Sequence, residues 1–260
     1  MMLVSIITLT YNSANTIEKT LKSIKNQNYQ NIEMVWVDNL SNDGTLDILK
    51  KYSNDKTKLV SEKDSGIANA FNKGLKLSTG DIVGFLHSDD IFFDESCISE
   101  MVDCFKKNQI NFFYADLNYV SKKNKIIRFW KSDNFKGLKN NNDIQKKLNL
   151  GWMPPHPTVY IKRDLLDKVG TYDESLKVSF DYDYLLKALK NNFNKPFYLN
   201  KKFINMAVGG NSNKSIKNII IKMLEDYQII KKNLNKGIFV LFLKNIRKLN
   251  QFLIIIKNII

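Results

Sequence analysis

Glycine is scarce and late in this chain: of eleven in 260 residues, the first is Gly44. An alternating α/β start that bound a dinucleotide would need glycines just after its first strand, where a pyrophosphate meets a helix amino terminus. Thr10–Glu18 contains none, and no Walker-type glycine-rich loop ending in Lys-Ser or Lys-Thr occurs, so both common phosphate cradles are excluded. Cysteine is nearly absent. Cys97 and Cys104 lie seven apart in a helical pattern and share a face as core residues, which leaves neither a disulfide framework nor metal-ligand spacing and suits a reducing compartment. No stretch of 18 apolar residues runs without a charge, so a spanning helix is not expected. The start enters Leu3-Val4-Ser5-Ile6-Ile7 without a basic leader and a long apolar core, so a secretory signal is not expected either, and a cytoplasmic location is.

What is present reads as a globular α/β protein. Hydrophobic residues make up 43% and aromatics 12%, enough for a sizeable core built as one domain, with or without an appendage. The formal net charge of +14 raises nucleic-acid binding as a class. Its distribution argues for a different cause: residues 215–260 hold nine Lys/Arg against two acids, +7, half of the total. That is a basic appendage on a more balanced body, and the aromatic-plus-basic sheet signatures of RNA readers are missing, so no nucleic acid is expected.

Strand and helix patterns alternate through the first hundred residues. Val4–Thr8 is a strand, and Asn15-Thr16-Ile17-Glu18 resembles a capping box ahead of Ile17, Leu21 and Ile24 at helical spacing. Ile32–Val37 is a strand ending at Asp38, Asp43-Gly44-Thr45 opens a helix, Leu59-Val60-Ser61 is a short strand, and Ile67–Leu75 is helical. Ile82–Leu86 is the fourth strand. Such alternation implies parallel strands with helical crossovers, whose ligands bind outside the carboxyl ends of the strands. Polar residues cluster at those ends: Thr10-Tyr11-Asn12, Asp38-Asn39, Glu62-Lys63-Asp64 and Ser88-Asp89-Asp90. Further on, Phe112–Val120 and Ile126–Trp130 form a hairpin, residues 131–149 read as a polar loop, and Thr158–Ile161 as a strand. Phe180–Lys190 is helical, and Phe197–Leu199 and Phe203–Val208 are strands. The last 46 residues form two amphipathic helices divided near Asn235–Gly237. Ile219, Met223, Tyr227, Ile230 and Leu234 share one face, and Ile238, Phe242, Ile246, Leu249, Leu253, Ile256 and Ile260 another.

Two adjacent carboxylates after a buried strand are poorly explained by packing, because a buried charge costs several kcal/mol, on the order of a whole side chain's burial, unless paired or metal-bound. With no glycine cradle available, a hard cation held by carboxylates and neutralising a diphosphate is the remaining common solution. An acidic turn without function is the competing explanation for Asp89-Asp90 alone.

The order of the motifs resolves this. Ser5-Ile6-Ile7-Thr8-Leu9-Thr10-Tyr11-Asn12, Val37-Asp38-Asn39 through Thr45, Ser61–Ile67, Asn72-Lys73-Gly74 and Gly80–Asp90 resemble, in sequence, family 2 glycosyltransferases of the GT-A fold. His156-Pro157-Thr158, Gly170–Glu174, Asp181–Leu186 and Gly209-Gly210-Asn211-Ser212 continue the resemblance, which is nearest to the bacterial branch that builds O-antigen and capsule units. It implies a GT-A α/β mixed sheet flanked by helices over residues 1–212, with 213–260 as a basic amphipathic helical tail. It implies a nucleotide pocket lined by Thr10, Tyr11 and Asn12, with Asp38 on the uracil, Asp64 beside the nucleoside and Asn72 and Lys73 on the helix bordering the donor. Ser88-Asp89-Asp90 matches the metal motif for Mn²⁺ or Mg²⁺, Asp90 as the direct ligand and Asp89 nearer the ribose or sugar. Asp181 matches the catalytic base; Asp183 is about 200° away around a helix, so only one of the two faces the site. The implied reaction is inverting transfer from a UDP-sugar (galactose, glucose or N-acetylhexosamine) to a polyprenyl-diphosphate-linked glycan, with the tail on the anionic inner face of the plasma membrane. A non-catalytic sugar-nucleotide-binding module would keep Asp38 and Asp90 without needing Asp181. The chain departs from the pattern at His87, where Asn is common, at Asn39-Leu40, where a glycine-containing turn is usual, and at Asn69 in place of Asp.

Overall fold

The computed structural model describes residues 1–121, 125–132, 141–190, 196–208, 216–234 and 237–257, and the side chains of all of these but 141, 142, 216 and 248–257. Its first half is the expected alternation. Strands β1 (Val4–Thr10), β2 (Ile32–Asp38), β3 (Thr57–Ser61) and β4 (Ile82–Phe85) run parallel in the order β3-β2-β1-β4, joined by α1 (Ile17–Lys25), α2 (Thr45–Tyr52) and α3 (Ile67–Leu77). Their near-continuous apolar runs follow from burial on both faces, the condition of a parallel sheet covered by helices. Val4, Ile6 and Trp36 face α1 and the later α4 (Cys97–Asn108), whereas Ile7, Val35 and Phe85 face α3.

Beyond β4 the sheet turns mixed. It continues through β8 (Tyr160–Lys162), β6 (Phe112–Val120), β9 (Pro196–Ala207) and β5 (Ile91–Phe92), and β7 (Ile126–Trp130) pairs with the far end of β6. Gly84 in β4 lies against the Tyr160 ring of β8; a Cβ there would sit 2.3 Å from the ring, so the close approach requires glycine. The strand that delivers Leu86–Asp90 is thereby locked between β1 and β8.

Three elements depart from the sequence reading. Residues 131–149 are not all loop: α5 (Asn141–Asn149) places Ile144 and Leu148, four apart, in the core. Two apolar residues among Asn and Lys were too few to register as a helical period, and packing supplies what propensity does not. The strands read at Phe197–Leu199 and Phe203–Val208 are one strand, β9, whose register against β6 jumps from Leu199 to Lys202. The polar Asn200-Lys201 step is a bulge rather than a loop. Residues 158–161 divide into a 3₁₀ turn (His156–Thr158) and β8, followed by α6 (Arg163–Val169), which the sequence reading missed.

The tail forms α8 (Ile216–Leu234) and α9 (Gly237–Lys257). Its inner face joins the core on the side of α7 (Phe180–Lys190) through Ile229, Ile230, Leu234 and Val240. Buried Lys244 pairs with Asp226 at 2.7 Å and sits 3.2 Å from the centre of the Tyr182 ring, so its charge is compensated twice. Arg247 Nε donates to the Leu150 carbonyl at 2.8 Å. The faces assigned from periodicity are split by this packing: Ile230 and Leu234 are buried, but Ile219, Met223, Tyr227, Ile238 and Phe242 are exposed. The side chains of Leu249, Leu253, Ile256 and Ile260 lie outside the described ones. No helix among the described residues is long and apolar enough to cross a membrane.

Candidate active site

The carboxyl ends of β1, β2, β3 and β4 meet at one edge of the sheet. Asp38, at the end of β2, is fully buried and organises that edge. Its Oδ1 accepts from Thr10 Oγ1 (2.9 Å) and Ser41 Oγ (2.5 Å), and its Oδ2 from Ser41 N (2.9 Å) and Ser61 Oγ (2.8 Å). A carboxylate has about four acceptor positions, and all are filled by protein donors. The turn that Asp38 holds carries Leu40 at φ +54°, a left-handed conformation that costs a β-carbon residue about 1–2 kcal/mol. The missing glycine thus left its conformation behind. Asn12, the other left-handed residue here (φ +49°), faces the same turn; its N–H donates to Ser41 Oγ and its Oδ1 accepts from Asn42 N. Tyr11 is 63% exposed at the rim, an unusual placement for so large a ring.

Three expected binding residues are engaged within the protein. Lys73 Nζ pairs with Asp64 and Glu62, each at 2.8 Å, and donates to the Lys63 carbonyl, pinning the loop after β3 to α3. Asn72 Nδ2 donates to Tyr172 O and Glu174 Oε1, and its Oδ1 accepts from Tyr172 N. Asp64, Asn72 and Lys73 therefore shape the wall between α3 and the 170–174 loop.

After β4 the chain makes a tight turn closed by Asp90 N–H donating to the His87 carbonyl. Ser88 Oγ accepts from Ser13 Oγ at 3.0 Å, tying this turn to the end of β1. Asp89 is exposed. Asp90 is 1% exposed; its Oδ1 accepts from Ala207 N at 3.0 Å, and its Oδ2 is buried with no hydrogen-bond partner. Burial, then the adjacent Asp89, pushes its pKa well above the carboxylate range, against the opposing Ala207 N–H. A buried carboxylate with one orphaned oxygen is what a divalent cation would complete, so the residues fit a metal. Among the described residues no cluster of three or more His, Cys, Asp or Glu surrounds it.

Asp181, second residue of α7, is half-buried and hydrogen-bonded only to the following N–H, Tyr182 N at 2.7 Å, among the described residues. Asp183 is buried and held by Lys187 Nζ at 2.6 Å. The two carboxylates therefore have unlike surroundings, as helical spacing required. The charge of Asp181 acts on His87, His156, Tyr119 and Tyr172, and that of Asp90 also acts on Tyr119, so both acids lie within electrostatic reach of that tyrosine. His156 lies in the turn before β8 and shares a 2.9 Å hydrogen bond with Tyr172 Oη. Burial holds its pKa near 4, only partly opposed by Asp181, so it is neutral at pH 7. The His87 ring lies 6.4 Å from His156 and nearly parallel to it; burial lowers its pKa too, against Asp89 and Asp181. Tyr119 and Arg128, across the β6–β7 pair, were not found from sequence. The Arg128 guanidinium lies 4.5 Å from the Tyr119 ring centre, opposite it in the β6–β7 register. Only their placement on a hairpin that the sheet curls back could have revealed them.

A floor of hydrogen-bonded hydroxyls thus lies with an incomplete buried carboxylate and a separate half-buried one. The profile of Glycosyl transferase family 2 matches residues 5–170, well over half of the chain. The chain belongs to this family.

Among relatives, a glycosyltransferase of Rickettsia typhi is 31% identical over 190 residues, covering 72% of this chain and 59% of that one. UDP-Glc:alpha-D-GlcNAc-diphosphoundecaprenol beta-1,3-glucosyltransferase WfgD of Escherichia coli is 32% identical over 128 residues, 49% of this chain and 50% of its own. The family 2 chain thus spans about three fifths or less of either relative. Among solved structures, S. aureus TarS 1-349 in complex with UDP-GlcNAc superposes with a TM-score of 0.69 at 24% identity, covering 88% of this chain and 67% of that one. The mannosyltransferase PcManGT of Pyrobaculum calidifontis, in complex with GDP-Man and Mn²⁺, gives 0.62 at 20% identity over 90% and 64%. These likenesses establish the GT-A fold: a curled mixed sheet flanked by helices, as the family resemblance implied.

Proposed function

We propose that this family 2 glycosyltransferase transfers a hexose or N-acetylhexosamine from a UDP-sugar, with inversion, to a hydroxyl of a polyprenyl-diphosphate-linked glycan in bacterial surface polysaccharide synthesis. The observation that carries the reading is the pair of unlike carboxylates: Asp90 buried with an orphaned oxygen, and Asp181 half-buried and, among the described residues, in no ion pair. UDP-GlcNAc bound to TarS, Mn²⁺ and GDP-Man bound to PcManGT, and the lipid-diphosphate acceptor in the name of WfgD support the substrate classes.

Asp90, with Asp89 beside it, would hold Mn²⁺ or Mg²⁺, and such a cation would supply neutralising charge to the diphosphate leaving group. Asp181 accepts the proton of the acceptor hydroxyl, whose oxygen forms the new bond to the anomeric carbon while the bond from that carbon to the diphosphate breaks. One base opposite the leaving group gives inversion. His156, neutral and fixed by Tyr172, and His87 border the sugar without competing for that proton. Thr10, Tyr11 and Asn12 face the nucleoside. Asp38 supports the uracil pocket from beneath, and direct contact with the base would require Thr10, Ser41 or Ser61 to release it. Wild-type protein with Mn²⁺ should be stabilised in a thermal-shift screen by UDP and by at least one of UDP-glucose, UDP-galactose, UDP-GlcNAc and UDP-GalNAc, since a ligand that binds the folded state raises its stability. No shift with any of them would refute the donor class.

The tail supports a location at an anionic membrane surface. Ile219, Ile220, Met223 and Leu224 of α8 and Phe239 and Phe242 of α9 are each more than two fifths exposed, on a segment of charge +7. Basic helices with exposed large apolar side chains partition to anionic interfaces, each nearby Lys or Arg contributing about 1 kcal/mol. The protein should co-sediment with phosphatidylglycerol vesicles and not with phosphatidylcholine ones, and Ile220→Glu with Phe242→Glu should abolish it. Equal partition to both lipids, indifferent to these substitutions, would contradict the assignment.

A further inference from the structure

The start of α7 is closed from a distant part of the chain. The N–H groups that open a helix have no partner within it and need acceptors. Here Glu225 of α8 binds the three residues that lead into α7, ending at the one that caps it: its Oε1 accepts from Lys177 N (2.7 Å) and its Oε2 from Val178 N (2.9 Å) and Ser179 N (2.8 Å). Glu225 is itself buried, and Ser179, the residue before α7, is fully buried. Three hydrogen bonds to one carboxylate at a helix amino terminus are charge-assisted and favoured by the helix dipole. Asp181 follows Ser179 by two residues. Among the described residues its side chain is bonded only to its own neighbour's N–H, so its position is set by the backbone at the start of α7, and Glu225 holds the residues that lead into that start.

We propose that Glu225 is a positioning residue for Asp181, which makes α8 a part of the catalytic unit; this rests on the reading of Asp181 as base. A base displaced by about 1 Å loses on the order of a hundredfold in rate, while donor binding at the strand ends is untouched.

The test compares full-length wild type, Glu225→Ala, Glu225→Gln, Asp181→Asn and Leu234→Ala, the last being a buried α8 residue away from the clamp. Three readouts are taken: UDP affinity with Mn²⁺, kcat for UDP release from the UDP-sugar that stabilises the protein most, and amide exchange of residues 177–183. Glu225→Ala should lower kcat by about 10–100-fold at unchanged UDP affinity and lose amide protection at 177–179. Glu225→Gln, which keeps the volume and one acceptor oxygen, should fall between it and wild type, and it carries the test if the Ala variant does not fold. Leu234→Ala should lose stability but keep kcat. Wild-type kcat in both Glu225 variants with an inactive Asp181→Asn would overturn the positioning role alone, as would an equal loss of kcat in Leu234→Ala. Wild-type turnover by Asp181→Asn would overturn the base and the inference together.

Discussion

Asp181→Asn is expected to lose sugar transfer by about 10²–10⁴-fold while binding UDP and Mn²⁺ as wild type does. The amide has the shape of the carboxylate, and its oxygen can still accept from Tyr182 N, so the side chain keeps its bond at the start of α7. What it cannot do is take a proton. No neighbour should substitute: Asp183 is spent on Lys187, His156 gives one ring nitrogen to Tyr172, and the proposed reaction assigns Asp89 and Asp90 to the diphosphate. The loss should therefore fall on kcat and kcat/KM together, with the donor KM unchanged, the pattern of an interaction made in the transition state alone. Steady-state kinetics of UDP release on both proteins decides it. Near-normal turnover would remove Asp181 from the chemistry.

Asp90→Asn should act on the other half of the reaction. Titration calorimetry of UDP should show affinity lower by about tenfold or more with Mn²⁺ present, the range lost when groups around a bound metal are altered, and no difference from wild type in EDTA. The effect on the empty protein has a different sign from that of most buried substitutions. Burial and the neighbouring Asp89 disfavour the charged form of Asp90 and one of its oxygens has no partner, so replacement by a neutral amide of the same shape should leave the unliganded fold within about 1 kcal/mol of wild type or above it. A large drop in melting temperature without metal would mean that Asp90 is structural, and equal UDP affinity in Mn²⁺ and EDTA would mean that no cation bridges it.

The first four strands were legible because each is an apolar run closed by a polar cluster, and a parallel sheet places those clusters together by topology. Asp90 was legible for the same reason: an acid directly after a buried strand has little structural justification. Leu40 hid a glycine's conformation, and only its φ of +54° exposes the equivalence of its turn to a glycine-containing one. Asp38 was visible, but its four donors come from β1, its own turn and β3, so that its bonds are all taken could not be read from residue order. Tyr119, Arg128 and Glu225 escaped notice because nothing local marks them. A sheet that curls and a helix that returns after 40 residues and more bring them to the site, and sequence spacing carries no record of either.

Nothing tests the central claim more directly than the time course of UDP release from UDP-sugars by the wild-type protein, measured with Mn²⁺, with Mg²⁺ and with EDTA. The account predicts release from at least one UDP-sugar, dependent on the cation and abolished in Asp181→Asn. Donor binding with no release under any condition, identical in wild type and Asp181→Asn, would make the chain a sugar-nucleotide-binding module and contradict it.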